Sequence, residues 1–163
     1  MKPQARIAVA ALLAFLAASA FADIEGSVVG VSDGDTVTVL DEARTQHKIR
    51  LAGIDAPEKA QAFGNKSKQA LSDCAFGRGA RVTGSKLDRY GRLVAKVIVE
   101  GVDCNLRQVE LGLAWHYTAY AREQSAEDRA AYSQAELGAR EQRLGLWRDN
   151  EPEPPWDFRR ARR

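Results

Sequence analysis

Short alternating segments near the start of the chain limit its possible folds more than any other feature. Residues 24–32 are rich in valine, and Asp33-Gly34 then marks a turn. Residues 36–39 and 48–51 each alternate polar and apolar side chains with a period of two, which is typical of half-buried strands. Three short strands in succession predict an antiparallel meander.

Two further alternating segments, residues 81–87 and 93–99, follow a stretch of helical spacing that begins after Pro57. Asp103 and Ser125 are typical N-cap residues for two more helices. Five strands, with one helix between the third and the fourth and two at the end, fit a small closed sheet. The sequence therefore predicts an α+β fold, a five-stranded OB-type Greek-key β-barrel with three helices.

The first residues do not belong to this barrel. Two basic residues precede an uncharged stretch over residues 7–22, which ends in the small-x-small motif Ala20-Phe21-Ala22. The stretch is shorter than the roughly 20 apolar residues that cross a membrane. We therefore predict a signal peptide over residues 1–22, cleaved after Ala22, and export to the periplasm or the medium. An uncleaved anchor is the alternative.

The charge balance excludes a strongly basic protein that coats nucleic acid. The whole chain has 24 Lys and Arg against 22 Asp and Glu. The leader carries two of the basic residues and no acidic one, so its removal would bring the net charge to zero. Attraction to an anionic partner must therefore come from where the charges lie.

The two cysteines fit an exported chain. Export would place Cys74 and Cys104 in an oxidising compartment. A bond between them would close a loop of 30 residues. In the chain-entropy model, such a bond stabilises the folded protein by roughly 3–4 kcal/mol. We predict a disulfide between them, with two buried free thiols as the alternative.

The end of the chain differs in composition from the rest. Residues 150–163 hold three of the five prolines and four arginines. Such a segment cannot form a core and is predicted to be disordered, which leaves residues 23–149 as the folded domain. Its arginines either attract phosphate backbones or only aid solubility.

Three motifs carry the residues suited to chemistry. They are Asp33-Gly34-Asp35-Thr36, then Arg50 with Ile54-Asp55-Ala56-Pro57-Glu58, and Asp88-Arg89-Tyr90-Gly91-Arg92. The carboxylates, with the carbonyl of the residue that the proline holds extended, form an oxygen-only donor set. Such a set suits Ca²⁺ or Mg²⁺ rather than zinc. A hard cation, two arginines and a spare carboxylate are what phosphodiester hydrolysis requires. For Asp35 alone, a solvated turn residue is the simpler interpretation.

Arg50 and Asp55 can serve one site only if the chain bends between them. Five positions along a straight strand would put them on opposite faces and about 16 Å apart. Gly53 is the expected place for a bulge or a bend.

In these motifs the chain resembles thermonucleases of the staphylococcal nuclease family, over residues 24 to about 147. The shared motifs are D-G-D-T, R-L-x-G-I-D-A-P-E and D-R-Y-G-R, in this order. The resemblance implies that Asp35, Asp55 and the carbonyl of Ala56 bind Ca²⁺, with Asp33 beside them.

The resemblance also implies the catalytic residues. Glu58 would act as the general base, and Arg50 and Arg92 would bind and polarise the phosphate. The implied activity is a Ca²⁺-dependent endonuclease that cleaves DNA and RNA with low sequence specificity and leaves 3′-phosphate ends. We expect a monomer that prefers single-stranded or frayed nucleic acid and has no membrane partner once its signal peptide is removed.

Nucleotide contacts are predicted for Arg89, Tyr90 and Tyr120. Trp115 and Tyr117 are alternative stacking platforms, although aromatic residues at the end of a helix more often belong to a core. Two other functions stay open. One is a non-catalytic OB-type module that binds nucleic acid or protein, and the other is a phosphodiesterase for small nucleotides.

Overall fold

The structure is a computed structural model that describes residues 23–162. The predicted signal peptide, residues 1–22, lies outside the described residues, as does Arg163. Within the described part, no helix combines the length and the apolar character needed to span a membrane.

Five of the strands close into the predicted barrel. In chain order, the strands are β1 (Ile24–Asp33), β2 (Thr36–Asp41), β3 (Gln46–Leu51), β4 (Ile54–Asp55), β5 (Gly79–Leu87), β6 (Leu93–Val99), β7 (Val102–Asp103) and β8 (Trp115–His116). Antiparallel pairing gives the order β3-β2-β1-β5-β6, and parallel pairing of β3 with β6 closes the ring. β4 pairs with β8 in a separate two-stranded sheet, which carries Asp55.

Alternation along the barrel strands places one face of each strand in the core. Burying a Val or Leu side chain contributes about 1.5–3 kcal/mol, so these residues dominate the stability of the barrel. The fully buried ones include Val28, Val37, Val39, Ile49, Leu51, Val82, Val97 and Val99.

Helices cover the barrel, and both predicted N-caps are confirmed. The α-helices of the described residues are α1 (Gly64–Ala75), α2 (Cys104–Glu110), α3 (Ala126–Glu141) and α4 (Pro155–Arg160), with 3₁₀ helices at Thr118–Glu123 and Gly145–Arg148. Asp103 Oδ1 accepts hydrogen bonds from two backbone N–H groups at the start of α2, at 2.9 and 3.1 Å. Ser125 Oγ accepts one from Asp128 at the start of α3, at 3.0 Å.

The predicted disulfide is present and joins two helices. Cys74 in α1 bonds Cys104, the first residue of α2, with their Cα atoms 6.0 Å apart. Both helices also contact the turn that carries the first acidic residue of the site described below. The bond therefore limits how far these two helices can move apart at that turn.

The prediction of a disordered C-terminal tail is wrong for residues 155–160, which form α4. Composition alone indicated no core, but α4 packs against aromatic residues far away in sequence. Trp156 contacts Trp115 at 5.5 Å between ring centroids, and Pro155 and Phe158 are buried. The count of three predicted helices therefore becomes four in residues 23–162.

Candidate active site

The turn between β1 and β2 positions the first acidic residue of the site. Asp33 Oδ1 accepts a hydrogen bond from the backbone N–H of Asp35 at 3.2 Å. A Cβ at Gly34 would lie 1.9 Å from Ser67 Oγ, so the turn packs directly against α1. Gln108 of α2 donates to the Gly34 carbonyl at 2.6 Å and to the Ser67 carbonyl at 2.9 Å. Two helices thereby hold Asp35 in place although it belongs to a turn.

The chain bends between Arg50 and Asp55, where the sequence predicted it. Gly53 has a φ of +75°, a left-handed conformation that is strained for residues with a Cβ. Buried Asn105 of α2 fixes this bend, since its Nδ2 donates to the Ala52 carbonyl and to a carbonyl of β6, each at 3.0 Å. The bend brings both side chains to the same site.

Arg50 links the two buried carboxylates. Its Nη1 lies 2.6 Å from Asp35 Oδ2, and its Nη2 donates to Asp55 Oδ1 at 2.8 Å. The Nη1 contact lacks hydrogen-bond geometry and is an ion pair only. The side chains of Asp35 and Asp55 are 9% and 0% exposed, so each needs a positive partner to offset its lost hydration.

Asp35 is short of positive charge in this arrangement. Burial raises the pKa of Asp35 to about 7, against the opposing effect of the Arg50 guanidinium. The neighbouring carboxylates of Asp33 and Asp55 act in the same direction as burial. A further cation beside Asp35 would favour its charged form.

Glu58 lies at the edge of the site and is held by an arginine of the C-terminal segment, for which the sequence predicted no role at the site. The Glu58 side chain is 38% exposed, and Arg159 of α4 donates from Nη1 to its Oε1 at 2.7 Å. Arg159 also donates to both oxygens of Asp55, at 3.2 Å from Nη1 and 2.8 Å from Nη2. One guanidinium therefore spans the predicted base and a predicted metal ligand.

Arg92 reaches the acid pair through a single hydroxyl group. Its Nη1 donates to Thr36 Oγ1 at 3.3 Å, and this hydroxyl donates to Asp35 Oδ1 at 3.2 Å. Asp88 accepts from the Arg92 Nε at 2.7 Å. Burial pushes the pKa of Asp88 up, but hydrogen bonds from Arg92 and from the backbone N–H of Tyr90 bring it below its ordinary value. Asp88 is thus a charged anchor that orients Arg92.

The predicted nucleotide contacts form an exposed surface beside these groups. Tyr90 is 67% exposed, and the Arg89 and Arg92 guanidinium groups lie 4.8 and 5.4 Å from its ring centroid. Tyr120 is 50% exposed, with Lys86 Nζ 5.6 Å from its ring centroid. Exposed aromatic rings beside cations are the combination that single-stranded nucleic acid requires.

Trp115 is buried in an aromatic cluster with Trp147 and Trp156, which agrees with its interpretation as a core residue. Tyr117 is only partly buried and stacks on Trp156, with 5.3 Å between centroids and 15° between planes. It also contacts Tyr120, with 5.1 Å between centroids. A continuous aromatic surface thus runs from α4 to an exposed tyrosine.

The donor groups fit a hard cation and do not fit zinc. Asp35 and Asp55 supply carboxylate oxygens, and the backbone of Ala56 is fixed because its N–H donates to Asp35 Oδ2 at 2.8 Å. Within the described residues, the histidines bond Asp41 and Gln124 and the cysteines bond each other, so none of them is a donor at this site. Among residues 23–162, no three His, Cys, Asp or Glu side chains form a cluster by themselves, so a bound cation would need backbone or water oxygens as well.

Sequence reasoning missed the residues that hold the site from a distance. Gln108 and Asn105 read as ordinary polar positions of a helix, yet both are buried and bind backbone groups of other elements. Arg159 belongs to a segment that composition marked as disordered. Trp156 and Phe158 in the same segment are the signals that could have predicted its packing against the domain.

Comparisons with known proteins identify relatives over nearly the whole chain. The profile of the family described as staphylococcal nuclease homologue matches residues 48–149. A micrococcal nuclease of Shigella flexneri is 38% identical over 165 residues, covering 96% of this chain and 92% of the relative. A protein of Haemophilus influenzae described as an uncharacterized endonuclease is 43% identical over 82% of this chain and 71% of its own length. A staphylococcal-like nuclease of Arabidopsis thaliana is 36% identical over 71% of this chain and 34% of its own length.

Proposed function

The chain belongs to the staphylococcal nuclease family, and on this premise we propose that it is a Ca²⁺-dependent endonuclease. Its substrates are DNA and RNA, cleaved with low sequence specificity to leave 3′-phosphate ends. Low specificity is expected because the sequence contains no base-reading motif, and phosphate contacts carry no sequence information.

One observation carries the proposal. The carboxylates of Asp35 and Asp55 contact the Arg50 guanidinium at 2.6 and 2.8 Å. Glu58 is linked to Asp55 through Arg159. Arg92 is linked to Asp35 through the Thr36 hydroxyl. Barrel closure brings these groups together from three separate stretches of sequence. A binding module has no need of a buried acid pair, which is costly to desolvate.

In the proposed mechanism each group acts on the phosphate or on water. The forked guanidinium groups of Arg50 and Arg92 bind the phosphate oxygens and stabilise the charge that grows on them. Glu58 accepts a proton from a water molecule, which attacks phosphorus in line. The bond from phosphorus to the 5′ oxygen breaks, and that oxygen takes a proton from solvent.

Asp35, Asp55 and the Ala56 carbonyl would hold the cation. When bound, Ca²⁺ supplies a Lewis acid for a phosphate oxygen. With Arg50, the carboxylates of Asp35, Asp55 and Glu58 carry a net charge of −2, or −1 while Arg159 pairs with Asp55 and Glu58. A divalent cation that takes the place of Arg159 would balance the charge of −2. Burial raises the pKa of Asp35 to about 7, and the carboxylates of Asp33 and Asp55 act in the same direction. A cation bound beside Asp35 would lower this pKa and keep the carboxylate charged.

We also propose that the mature chain is a monomer exported to the periplasm or the medium and acts there on single-stranded or frayed nucleic acid. The Cys74–Cys104 bond supports export, because disulfides persist in oxidising compartments. The exposed Tyr90 and Tyr120 support the preference for single strands, because unpaired bases can stack on them.

The direct test is digestion of plasmid and single-stranded DNA and of RNA by the mature chain, with Ca²⁺ and with a chelator. We expect cleavage with Ca²⁺ only, and fragments that a polymerase extends only after phosphatase treatment. Glu58→Gln keeps the shape of the side chain but cannot take the proton, and should slow cleavage by at least about 10²-fold.

Glu110→Gln is the matched control, because Glu110 pairs with Arg107 on the surface of α2. We expect this variant to cleave DNA at the rate of the parent protein. If the parent chain binds single-stranded DNA without cleaving it in Ca²⁺, the non-catalytic module is the correct function instead.

A further inference from the structure

The last helix of the chain rests on the candidate active site and does not continue the barrel. α4 has six residues (Pro155–Arg160), too few to persist as an isolated helix. Its order comes from contacts with the domain, in particular Trp156 against Trp115 and the buried Phe158. A helix held only by docking can leave its position without unfolding the domain beneath it.

The contacts of α4 coincide with the groups that the proposed chemistry needs free. Arg159 Nη1 and Nη2 bind both oxygens of Asp55, and Nη1 binds Glu58 as well. A guanidinium in this position repels a divalent cation that approaches Asp55. It also ties up the carboxylate that must accept a proton from water.

Trp156 covers the aromatic surface beside the acids. Its ring stacks on Tyr117 with 15° between the planes, an arrangement that a nucleobase adopts on an aromatic side chain. One short helix therefore places the Arg159 guanidinium where the metal ion would bind. It also places the Trp156 ring on Tyr117, where a base of the substrate would stack.

The connection to the domain allows the helix to move away. Asn150, Glu151 and Glu153 are exposed. Two hydrogen bonds tether them to the domain. Gln61 Nε2 donates to the Glu153 carbonyl at 2.6 Å, and Arg143 Nη2 donates to Asn150 Oδ1 at 3.1 Å. The disulfide and the barrel lie outside this segment, so neither has to break when the helix leaves.

We propose that the C-terminal segment (residues 150–162) is an intramolecular occupant of the active site, which Ca²⁺ and nucleic acid must displace. This inference rests on the proposed function, since it takes the acids as the metal and base groups. The segment lowers the apparent affinity for Ca²⁺ in proportion to the fraction of molecules in which it is docked.

The test compares two variants of the full mature chain that each remove one positive charge from α4. Arg159→Gln breaks the contacts with Asp55 and Glu58. Arg160→Gln is the control, because the Arg160 side chain is 77% exposed and pairs only with Asp157 in the same helix. Calorimetric titration with CaCl₂, without nucleic acid, measures the dissociation constant of each protein.

We expect the dissociation constant to fall by at least about tenfold in Arg159→Gln, which corresponds to a site that is free in about a tenth of the parent molecules. For Arg160→Gln we expect a change within about twofold, as for other surface charges. Equal dissociation constants in Arg159→Gln and the parent would overturn the inference.

Amide hydrogen exchange in residues 155–160 gives a second readout that does not depend on catalysis. In the parent protein we expect faster exchange after addition of Ca²⁺ with a single-stranded oligonucleotide. Unchanged protection would show that the helix stays docked and would overturn the inference.

The outcomes separate this inference from the proposed function. If the parent cleaves DNA with Ca²⁺ and Arg159→Gln binds the ion no better, the proposed function stands. Only the proposal that the C-terminal segment occupies the site is then wrong. If Arg159→Gln instead loses activity with unchanged Ca²⁺ binding, Arg159 serves the substrate and the inference is again wrong. If no protein binds Ca²⁺, the metal chemistry itself fails and the inference fails with it.

Discussion

Arg92 differs from Arg50 in how it is held, and the difference suggests distinct tasks. Arg50 is buried between two carboxylates, whereas Arg92 is oriented by Asp88 and touches the site through the Thr36 hydroxyl. The Arg92 guanidinium is also beside the exposed ring of Tyr90. Arg92 is therefore placed to meet a substrate that arrives from solvent.

This placement predicts a large kinetic cost for Arg92→Ala. Removing one preorganised donor from a site of developing charge lowers the rate by about 10²–10³-fold, and we expect at least about 10²-fold in kcat. The measurement is plasmid cleavage at saturating Ca²⁺. Arg81→Ala, on the exposed face of β5, is the matched control. Cleavage at the parent rate by Arg92→Ala would exclude the proposed role.

The positions of single residues could be predicted where the signal lies in their immediate sequence neighbours. The D-G-D-T turn, the bend at Gly53 and the acid and arginine positions could be read from short motifs and strand parity. Gln108 and Asn105 could not, because their partners lie 74 and 53 residues away along the chain. Only the fold shows that these amides hold the turn and the bend that carry Asp35 and Asp55.

Among the elements, α3 is joined to the N-cap of α2 by a partly buried hydrogen bond. Tyr132 of α3 is 1% exposed and donates from its hydroxyl to Asp103 Oδ2 at 2.9 Å, while Asp103 Oδ1 caps α2. Burial, with Asp103 as an acceptor, raises the pKa of Tyr132 above its ordinary value of 10.0. The hydroxyl therefore stays protonated in the folded protein at pH values where it ionises in the unfolded chain.

The sign of the resulting pH dependence follows from proton binding. Above pH 10.0 the unfolded chain has lost a proton that the folded protein keeps, so the free energy of unfolding falls as pH rises. Tyr132→Phe should lower this free energy by about 1 kcal/mol at pH 8. At pH 11 the difference in free energy of unfolding between the parent and the variant should be smaller by about 1 kcal/mol. The measurement is urea unfolding of both proteins at the two pH values. A difference in free energy of unfolding that does not change with pH would contradict the prediction.

The elements divide into those with strong local patterns and those without. Strands with period-two alternation and helices with Asp103 or Ser125 caps were predicted, because caps and alternation depend on near neighbours. The last helix was not, because its order depends on Trp115 and Tyr117, far away in sequence. Proline and arginine content describes a segment in isolation and says nothing of such partners.

At the scale of the whole molecule, the disulfide limits how far the unfolded chain can expand. Cys74 and Cys104 close a loop of 30 residues that includes β5 and β6. Replacing both with alanine should lower the free energy of unfolding by roughly 3–4 kcal/mol, measured by urea unfolding. Reduction of the parent protein should have a similar effect, whereas a loss below about 1 kcal/mol would show that the open chain is already compact.

Closure of the ring through β3 and β6 has a consequence for when cleavage can begin. Arg50 lies in β3, and Arg92 directly precedes β6. The two strands meet only after the chain between them has folded back. Under the proposed function, a half-folded polypeptide cannot hold both guanidinium groups around one phosphodiester. A newly made chain would therefore leave nucleic acids intact until β3 and β6 pair.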